Sequence, residues 1–217
     1  KADMIFVNDD FVCERTFVGG KLVYDRNIDT PETIFKCRST EIKSKLEQQG
    51  GHSFMIKLFR IDERLIHGQI AIKWSRHTGV DSIVVANNNA AANTMIQKSL
   101  KMAAPPGIKT VIKSIDDAIK TLNDPRCEPL KVLVLVNSPE DALRMAKEVK
   151  GIPFINVGNY GRVAPKKEGK ERKRFDNNLY CDDVEEATFR ELMATGLDCI
   201  YQTTPEEMAI PLKKLIQ

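Results

Sequence analysis

The chain changes character twice along its length. Three short apolar runs come first: DMIFV, FVCERTFV and KLVYD, ending near residue 26. The pair Gly19-Gly20 between the second and third suits a tight hairpin, so these runs read as strands of a small β-rich piece. So short a piece cannot bury enough apolar surface to form a stable domain alone. Residues 27–54 are polar and lack a sustained period, apart from a short helical stretch around Glu41 to Glu47, and read as a linker. From Met55 the pattern becomes regular. Strand MIKLFRI leads into a helix expected from about Leu65 to His77, stopped by Gly79. DSIVVA precedes helix NTMIQKSLKMAA, with Asn93 as its cap and Pro105-Pro106-Gly107 as its end. KTVIK precedes a helix opened by Ser114, with Asp117 completing a weak capping box. KVLVLV is apolar at every position but the first, as a parallel strand covered on both faces requires. Ser138-Pro139 opens the next helix and Gly151 closes it. PFINV, NLYC and DCIYQ supply further strands, and DDVEEATFRELMATG a helix with an acidic start. A last helix is expected from Pro205 towards Gln217, kinked at Pro211.

This alternation predicts an α/β fold for residues 55–217: a mostly parallel, doubly wound sheet with helices on both faces, plus the short β-rich N-terminal appendage. Ligands of such sheets bind beyond the carboxyl ends of the strands. That rule gathers His67, the asparagines Asn87 to Asn89, Asn137-Ser138 and the segment Gly158 to Arg162 at one end of the molecule.

Composition narrows the classes. With 42% hydrophobic and 29% charged residues in 217, the chain is that of a globular protein with room for one α/β domain and an appendage. A net charge of +3 is too mild to point to nucleic acid. No apolar run reaches membrane-spanning length, and no signal peptide opens the chain. It begins at Lys1 without an initiator methionine, which reads as a fragment or a processed product. Five widely spaced cysteines without a CxxC read as reduced thiols, with no zinc site. There is no Walker A sequence and no GxGxxG after a strand, which argues against a nucleotide-binding protein.

The chemistry concentrates in RIDERLIHGQIAIKW, residues 60–74. A neutral imidazole is a good nucleophile near neutral pH and can carry a phosphoryl group on one ring nitrogen. His67 falls at a strand-to-helix turn, close to free N–H groups and the positive end of the helix dipole. Gly68 permits close backbone approach to an anion, and Arg64 offers a two-pronged grip on phosphate oxygens. Asp62 or Glu63 could orient the ring. A plainer account also stands at this point: His67 ends a turn and Arg64 pairs with Asp62 on the surface. His77 at a helix end and Trp74 as a core anchor read as structural, and His52 as solvated.

The same stretch resembles the active-site segment of IIB components of the mannose/fructose/sorbose family of the bacterial phosphoenolpyruvate-dependent sugar phosphotransferase system. Their pattern is close to R-[IV]-D-[DE]-R-L-I-H-G-Q-[IV], followed by a tryptophan that Trp74 matches. LKMAAPPGIK, residues 100–109, resembles a second family block. The resemblance implies a protein-N-phosphohistidine–sugar phosphotransferase (a phosphoryl transferase of class EC 2.7.1.-) without cofactor or metal. IIA donates from a phosphohistidine, His67 accepts, and the group passes to a sugar entering through membrane IIC and IID. Implied site residues are His67, Arg64 and Asp62, with Ile66, Gly68 and Gln69 in the phosphoryl-binding loop. Asn87, Asn88, Ser138 and Arg162 are candidates for a supporting ring. The implied location is cytoplasmic, at the inner face of the membrane. Self-association into a homo-oligomer stays open, as does an alternative in which the fold survives as a retired regulatory or interaction module. Where the family often has acidic residues after the second strand, this chain has ANNNAAAN.

Two surface segments carry weaker signals. Gly158 and Gly161 are expected to serve turn geometry. The basic run KKEGKERKR, residues 166–174, is expected to be a solvated loop, or else to steer an acidic partner or lipid. Without interleaved aromatics it is no nucleic-acid platform. Finally, FVNDDFVCERTFVGGKLVYD resembles the carboxyl-terminal end of N-acetylhexosamine-6-phosphate deacetylases. It carries none of their metal ligands, so no deacetylase activity follows. Met55 stands where IIB chains of the family begin, and residues 1–54 then read as the tail of a neighbouring enzyme joined to the IIB frame. Such a neighbour points to an N-acetylated hexosamine such as N-acetylgalactosamine as the sugar.

Overall fold

The computed structural model describes residues 55–163 and 171–216 in full, and the backbone of 4–7, 13–18 and 21–25. The expected helix near Glu41, His52, the Gly19-Gly20 turn and residues 164–170 of the basic run lie outside the described residues. Backbone contacts divide the chain into Lys1–Ser53 and Phe54–Gln217. In the first unit, β1 (Met4–Val7), β2 (Cys13–Val18) and β3 (Lys21–Asp25) form an antiparallel sheet in that order, with Val18 paired to Lys21.

The second unit is built on a seven-stranded sheet. Its strands are β4 (Ile56–Asp62), β5 (Ser82–Ala86), β6 (Lys109–Lys113), β7 (Val132–Val136), β8 (Ile155–Asn159), β11 (Cys199–Tyr201) and β12 (Ile210–Pro211). Their order is β12-β11-β8-β4-β7-β5-β6, all parallel except β12 at the edge. The helices are α1 (Gly68–Thr78), α2 (Asn88–Ala92), α3 (Thr94–Ala103), α4 (Ile115–Leu122), α5 (Pro139–Glu148) and α6 (Asp183–Ala194).

Strand alternation sorts the core into two layers. Leu58, Ile83, Val85, Leu133 and Leu135 pack with Ala71 and Trp74 of α1, Ala90 of α2 and Leu100 of α3. Phe59, Ile61, Val84, Val134 and Val157 pack on the other face with Ala118 of α4, Met145 of α5 and Phe189 of α6. Helices therefore cover both faces, and the unbroken apolar runs of β5 and β7 follow from that double cover. β4 lies in the middle. It leads through α1 towards β5 on one side, whereas β7 leads through α5 to β8 on the other. The carboxyl end of β4 thus falls where the winding reverses.

Four expectations need correction. The first helix begins at Gly68, not near Leu65. The Asp62 carbonyl accepts from the Leu65 N–H at 2.9 Å, closing a tight turn, and Leu65 takes a left-handed φ of 58°. A short α2 precedes α3, and Asn93 caps α3 by accepting from Met95 and Ile96. Residues 205–216 hold no α-helix: Ile210 and Pro211 pair with β11, and Leu212–Lys214 make one 3₁₀ turn. Pro211 has no N–H to give a helix and tolerates an edge strand. The basic run is not wholly a solvated loop. β9 (Lys173–Asp176) pairs antiparallel with β10 (Leu179–Cys181), and Arg172 is buried against Glu185 in an ion pair of 2.7 Å. The Tyr160 hydroxyl donates to the same carboxylate at 2.9 Å, and the Arg172 guanidinium sits 5.8 Å from the Tyr160 ring. Glu185 also completes a capping box with Asp182 at the start of α6.

Candidate active site

The turn between β4 and α1 carries the site. β4 ends in Asp62, almost fully buried. Its Oδ1 accepts from the Arg64 N–H at 3.3 Å and stands 3.7 Å from His67 Nδ1. Its Oδ2 accepts from Arg60 Nη2 at 3.0 Å. His67 is the N-cap of α1, with an extended backbone and no side-chain bond to the helix N–H groups. Its ring is therefore free for other work. Both ring nitrogens are withdrawn from solvent, and neither makes a well-formed hydrogen bond among the described residues. Burial lowers the proton affinity of this imidazole. Asp62 and the Leu65 carbonyl pull the other way, while Arg64 and Arg60 add to the lowering. The balance favours the neutral ring at neutral pH.

Arg64 is exposed, and its guanidinium has no bond among the described residues. Gly68 and Gln69 are also exposed and form the first turn of α1, where the leading N–H groups lack partners within the helix. Gly68 has a φ of 41°, which suits glycine. Ile66 points the other way, into the layer beneath α1. The plainer account of an Arg64–Asp62 surface pair is overturned, because buried Arg60 is the cation bonded to Asp62.

The second acidic residue of the motif has a different task. Glu63 accepts from the N–H groups of Gly161 at 3.0 Å and Val163 at 3.0 and 3.1 Å, and from Asn159 Nδ2 at 3.0 Å. It fastens the loop after β8 beside the turn and does not orient His67. Gly161 has a φ of 83°, and a Cβ there would meet the Tyr180 carbonyl oxygen at 1.9 Å. Gly158, expected in a turn, lies inside β8; its missing side chain makes room for Arg60, whose Nη2 would be 1.8 Å from an added Cβ.

The supporting candidates are spent on framing. Asn87 caps α2 through the Ala90 N–H at 2.8 Å and donates to Asn137 at 2.8 Å. Asn88 accepts from the Ile115 N–H at 2.9 Å, and Ser138 caps α5 through Asp141 at 3.1 Å. Arg162 donates to Asn178 at 3.2 Å. None is bonded to His67. Trp74 is buried, with Nε1 donating to the Thr203 carbonyl at 3.1 Å, and His77 packs edge-on against it. Among the described residues, no group of three or more His, Cys, Asp or Glu could hold a metal ion. No described helix is long and apolar enough to cross a membrane. Cys127, Cys181 and Cys199 are free, and burial raises the thiols of Cys181 and Cys199, the latter to about 12.

The pattern that describes the family "PTS system sorbose subfamily IIB component" matches residues 56–217. The chain belongs to this family. It is 38% identical over 163 residues to a probable phosphotransferase enzyme IIB component of Streptococcus pyogenes serotype M6, a stretch covering 75% of this chain and 99% of that protein. It is 30% identical over 161 residues to the N-acetylgalactosamine-specific phosphotransferase enzyme IIB component 2 of Escherichia coli, covering 74% of this chain and 98% of that one. Among solved structures, the IIB domain of the sorbose permease from Klebsiella pneumoniae superposes with a TM-score of 0.67 at 27% identity, over 74% of this chain and 95% of that one. IIB components of this family act as phosphotransferases in sugar uptake.

Proposed function

We propose that this chain accepts a phosphoryl group on His67 from a phosphohistidine of IIA and hands it to a sugar arriving through membrane IIC and IID subunits, at the cytoplasmic face of the membrane. The observation that carries this reading is an imidazole at the N-cap of α1, its Nδ1 3.7 Å from the buried Asp62 carboxylate and its proton affinity lowered by burial. In the first step a lone pair of His67 attacks phosphorus. A new N–P bond forms as the donor's N–P bond breaks, and the donor imidazole leaves. In the second step a sugar hydroxyl attacks in turn: a P–O bond forms as the N–P bond to His67 breaks, and the hydroxyl proton passes to solvent water. Arg64 and the N–H groups at the start of α1 face the charge on the equatorial oxygens. Asp62 limits the ring's rotation. Asn87, Asn88 and Ser138 frame the surrounding loops, and Arg162 belongs to the loop that Glu63 holds.

The sugar we assign is a mannose-type hexose, with N-acetylgalactosamine the specific candidate. Two features support it: the deacetylase-like residues 1–26, and the similarity to a relative named for that sugar.

The test is to incubate IIB with phosphoenolpyruvate, the general phosphotransferase proteins and the IIA of the same gene cluster. Acid-labile phosphate is read by intact mass and placed by peptide mapping. One phosphate on His67, absent in His67→Ala, is the expected result. Addition of membranes bearing the cognate IIC and IID should discharge it with N-acetylgalactosamine or mannose. No label on folded IIB from an active IIA would overturn the reading and leave a retired module.

A further inference from the structure

Arg60 heads the fully buried side chains by volume. A guanidinium keeps its charge when buried and needs an acceptor for each N–H. Here Nη1 donates to Asn156 Oδ1 and, at 3.0 Å, to the Gln202 carbonyl. Nη2 donates to Asp62 Oδ2 at 3.0 Å and to the Thr203 carbonyl at 3.1 Å. Its Cζ lies 5.2 Å from the centre of the Trp74 ring. The two carbonyls are gripped a second time, Gln202 by Asn156 Nδ2 at 3.2 Å and Thr203 by Trp74 Nε1 at 3.1 Å. The absent side chain of Gly158 leaves the space in which the guanidinium sits. Partners from β8, the segment after β11 and α1 thus converge on one cation, and that cation holds one oxygen of Asp62. Only the other oxygen is left for the turn.

We propose that Arg60 is a positioning residue of IIB: from inside the sheet it fixes the Asp62 carboxylate, and through it the ring of His67 and the turn that carries Arg64. Its meaning in transfer rests on the carrier reading of His67. Arg60 does not itself touch a phosphoryl group, because it is buried and its Nη donors are spent. The charges around the site are few. Asp62 favours protonation of His67, and Arg64 and Arg60 oppose it. Glu207, from the segment after β11, acts on Arg60. Glu63 is bonded to the loop after β8, and Lys73 of α1 is paired with Glu206 at 3.3 Å. When Arg60 no longer holds Asp62, the carboxylate turns its full charge on the imidazole. His67 then binds its proton more tightly, and its ring is less well placed.

Two substitutions test this from different sides. Arg60→Lys keeps the charge but cannot span a carboxylate, an amide and two carbonyls from one nitrogen. Gly158→Ala keeps Arg60 and pushes it out of place. Full-length IIB, folded by circular dichroism, is titrated by NMR of the histidine ring, with His67 assigned by the signal missing in His67→Ala. Both variants should titrate at higher pH than the wild type. Both should accept phosphate more slowly below about pH 6.5, by on the order of tenfold. In an Asp62→Asn background, Arg60→Lys should leave the His67 titration where Asp62→Asn alone puts it. Folded Arg60→Lys and Gly158→Ala with an unshifted His67 titration would overturn the proposal and leave Arg60 a structural residue. A wild type that takes no phosphate would instead overturn the carrier reading, while the titrations still judge the coupling of Arg60 to His67.

Discussion

An imidazole that attacks phosphorus must keep its lone pair, so on the proposed reading the proton on His67 decides when the chain can accept. Burial favours the neutral ring, and the carboxylate beside it, Asp62, is already committed to Arg60 through its other oxygen. The sign then follows for both rate and stability. With a folded proton affinity below the ordinary value of about 6.5, the ring stays neutral into mildly acid solution. The acid limb of phosphate uptake, measured with pre-phosphorylated IIA in excess, should fall below the ordinary imidazole value. Stability runs the same way. As pH drops below about 6.5 the unfolded chain takes a proton that the folded ring refuses, so His67 makes IIB progressively less stable until the folded ring protonates too. His67→Gln should flatten that part of a denaturation-midpoint profile against pH. Arg64 supplies a cleaner separation. Exposed and without a bond among the described residues, it contributes little to the fold, and Arg64→Ala should change stability by less than about 0.5 kcal/mol. If it faces the transferring group, the same change should slow phosphate uptake by about a hundredfold or more, read by rapid quench. The residues that made this chemistry legible in the sequence stand in one stretch, from Asp62 to Gln69. The role of Arg60 did not show there, although it opens the motif, because its partner Asn156 is 96 residues away and is brought alongside only by the pairing of β4 with β8.

At the scale of elements, the turn between β4 and α1 shows why propensity misplaces a helix start. Leu65 and Ile66 are good helix formers, yet both are buried beneath α1, and anchoring them there requires the left-handed Leu65 and the extended His67. Burial outweighs the local cost, of order 1–3 kcal/mol for a strained residue. The helix is delayed until Gly68, which leaves His67 at its N-terminus instead of a turn inside it. Glu63 then joins this turn to the loop after β8. Its carboxylate takes two backbone N–H groups of that loop and one from the Asn159 side chain, so Glu63→Ala should cost about 1–3 kcal/mol. Hydrogen exchange should locate the damage, with the Gly161 and Val163 amides losing protection while those of β4 and β7 keep theirs. Loss of protection spread evenly over the sheet would show instead that Glu63 acts on the whole fold. Strands with both faces covered were plain in the sequence as continuous apolar runs. β9 was not, because KRFD is charged and pairs only with the three residues of β10. The carboxyl-terminal segment was misread for the opposite reason: its spacing of Met208, Leu212 and Leu215 suits a helix, but Ile210 and Pro211 pair with β11.

At the scale of the whole molecule, the residues named in the proposed reaction all lie within residues 56–216. Among the described residues, the members of both core layers, every strand of the seven-stranded sheet, and His67, Arg64, Asp62, Arg60 and Glu63 are in that span. The comparison with the Streptococcus pyogenes protein bears on the same point, since 163 residues of this chain account for 99% of that relative. A chain of that length is thus a complete IIB component elsewhere. Physical size agrees: about 160 residues bury roughly 70% of the surface that an unfolded chain exposes, enough for independent stability. We therefore expect residues 55–217, produced alone, to fold with a thermal midpoint matching that of the corresponding transition in the full chain. They should also take phosphate from IIA on His67 at a rate within about twofold of full-length IIB, since surface changes away from a site rarely alter it. Calorimetry of the full chain beside the shorter one is the direct check. A shorter chain that melts well below its counterpart, or accepts phosphate tenfold more slowly, would mean that residues 1–54 are part of the working IIB and not the tail of a neighbouring enzyme.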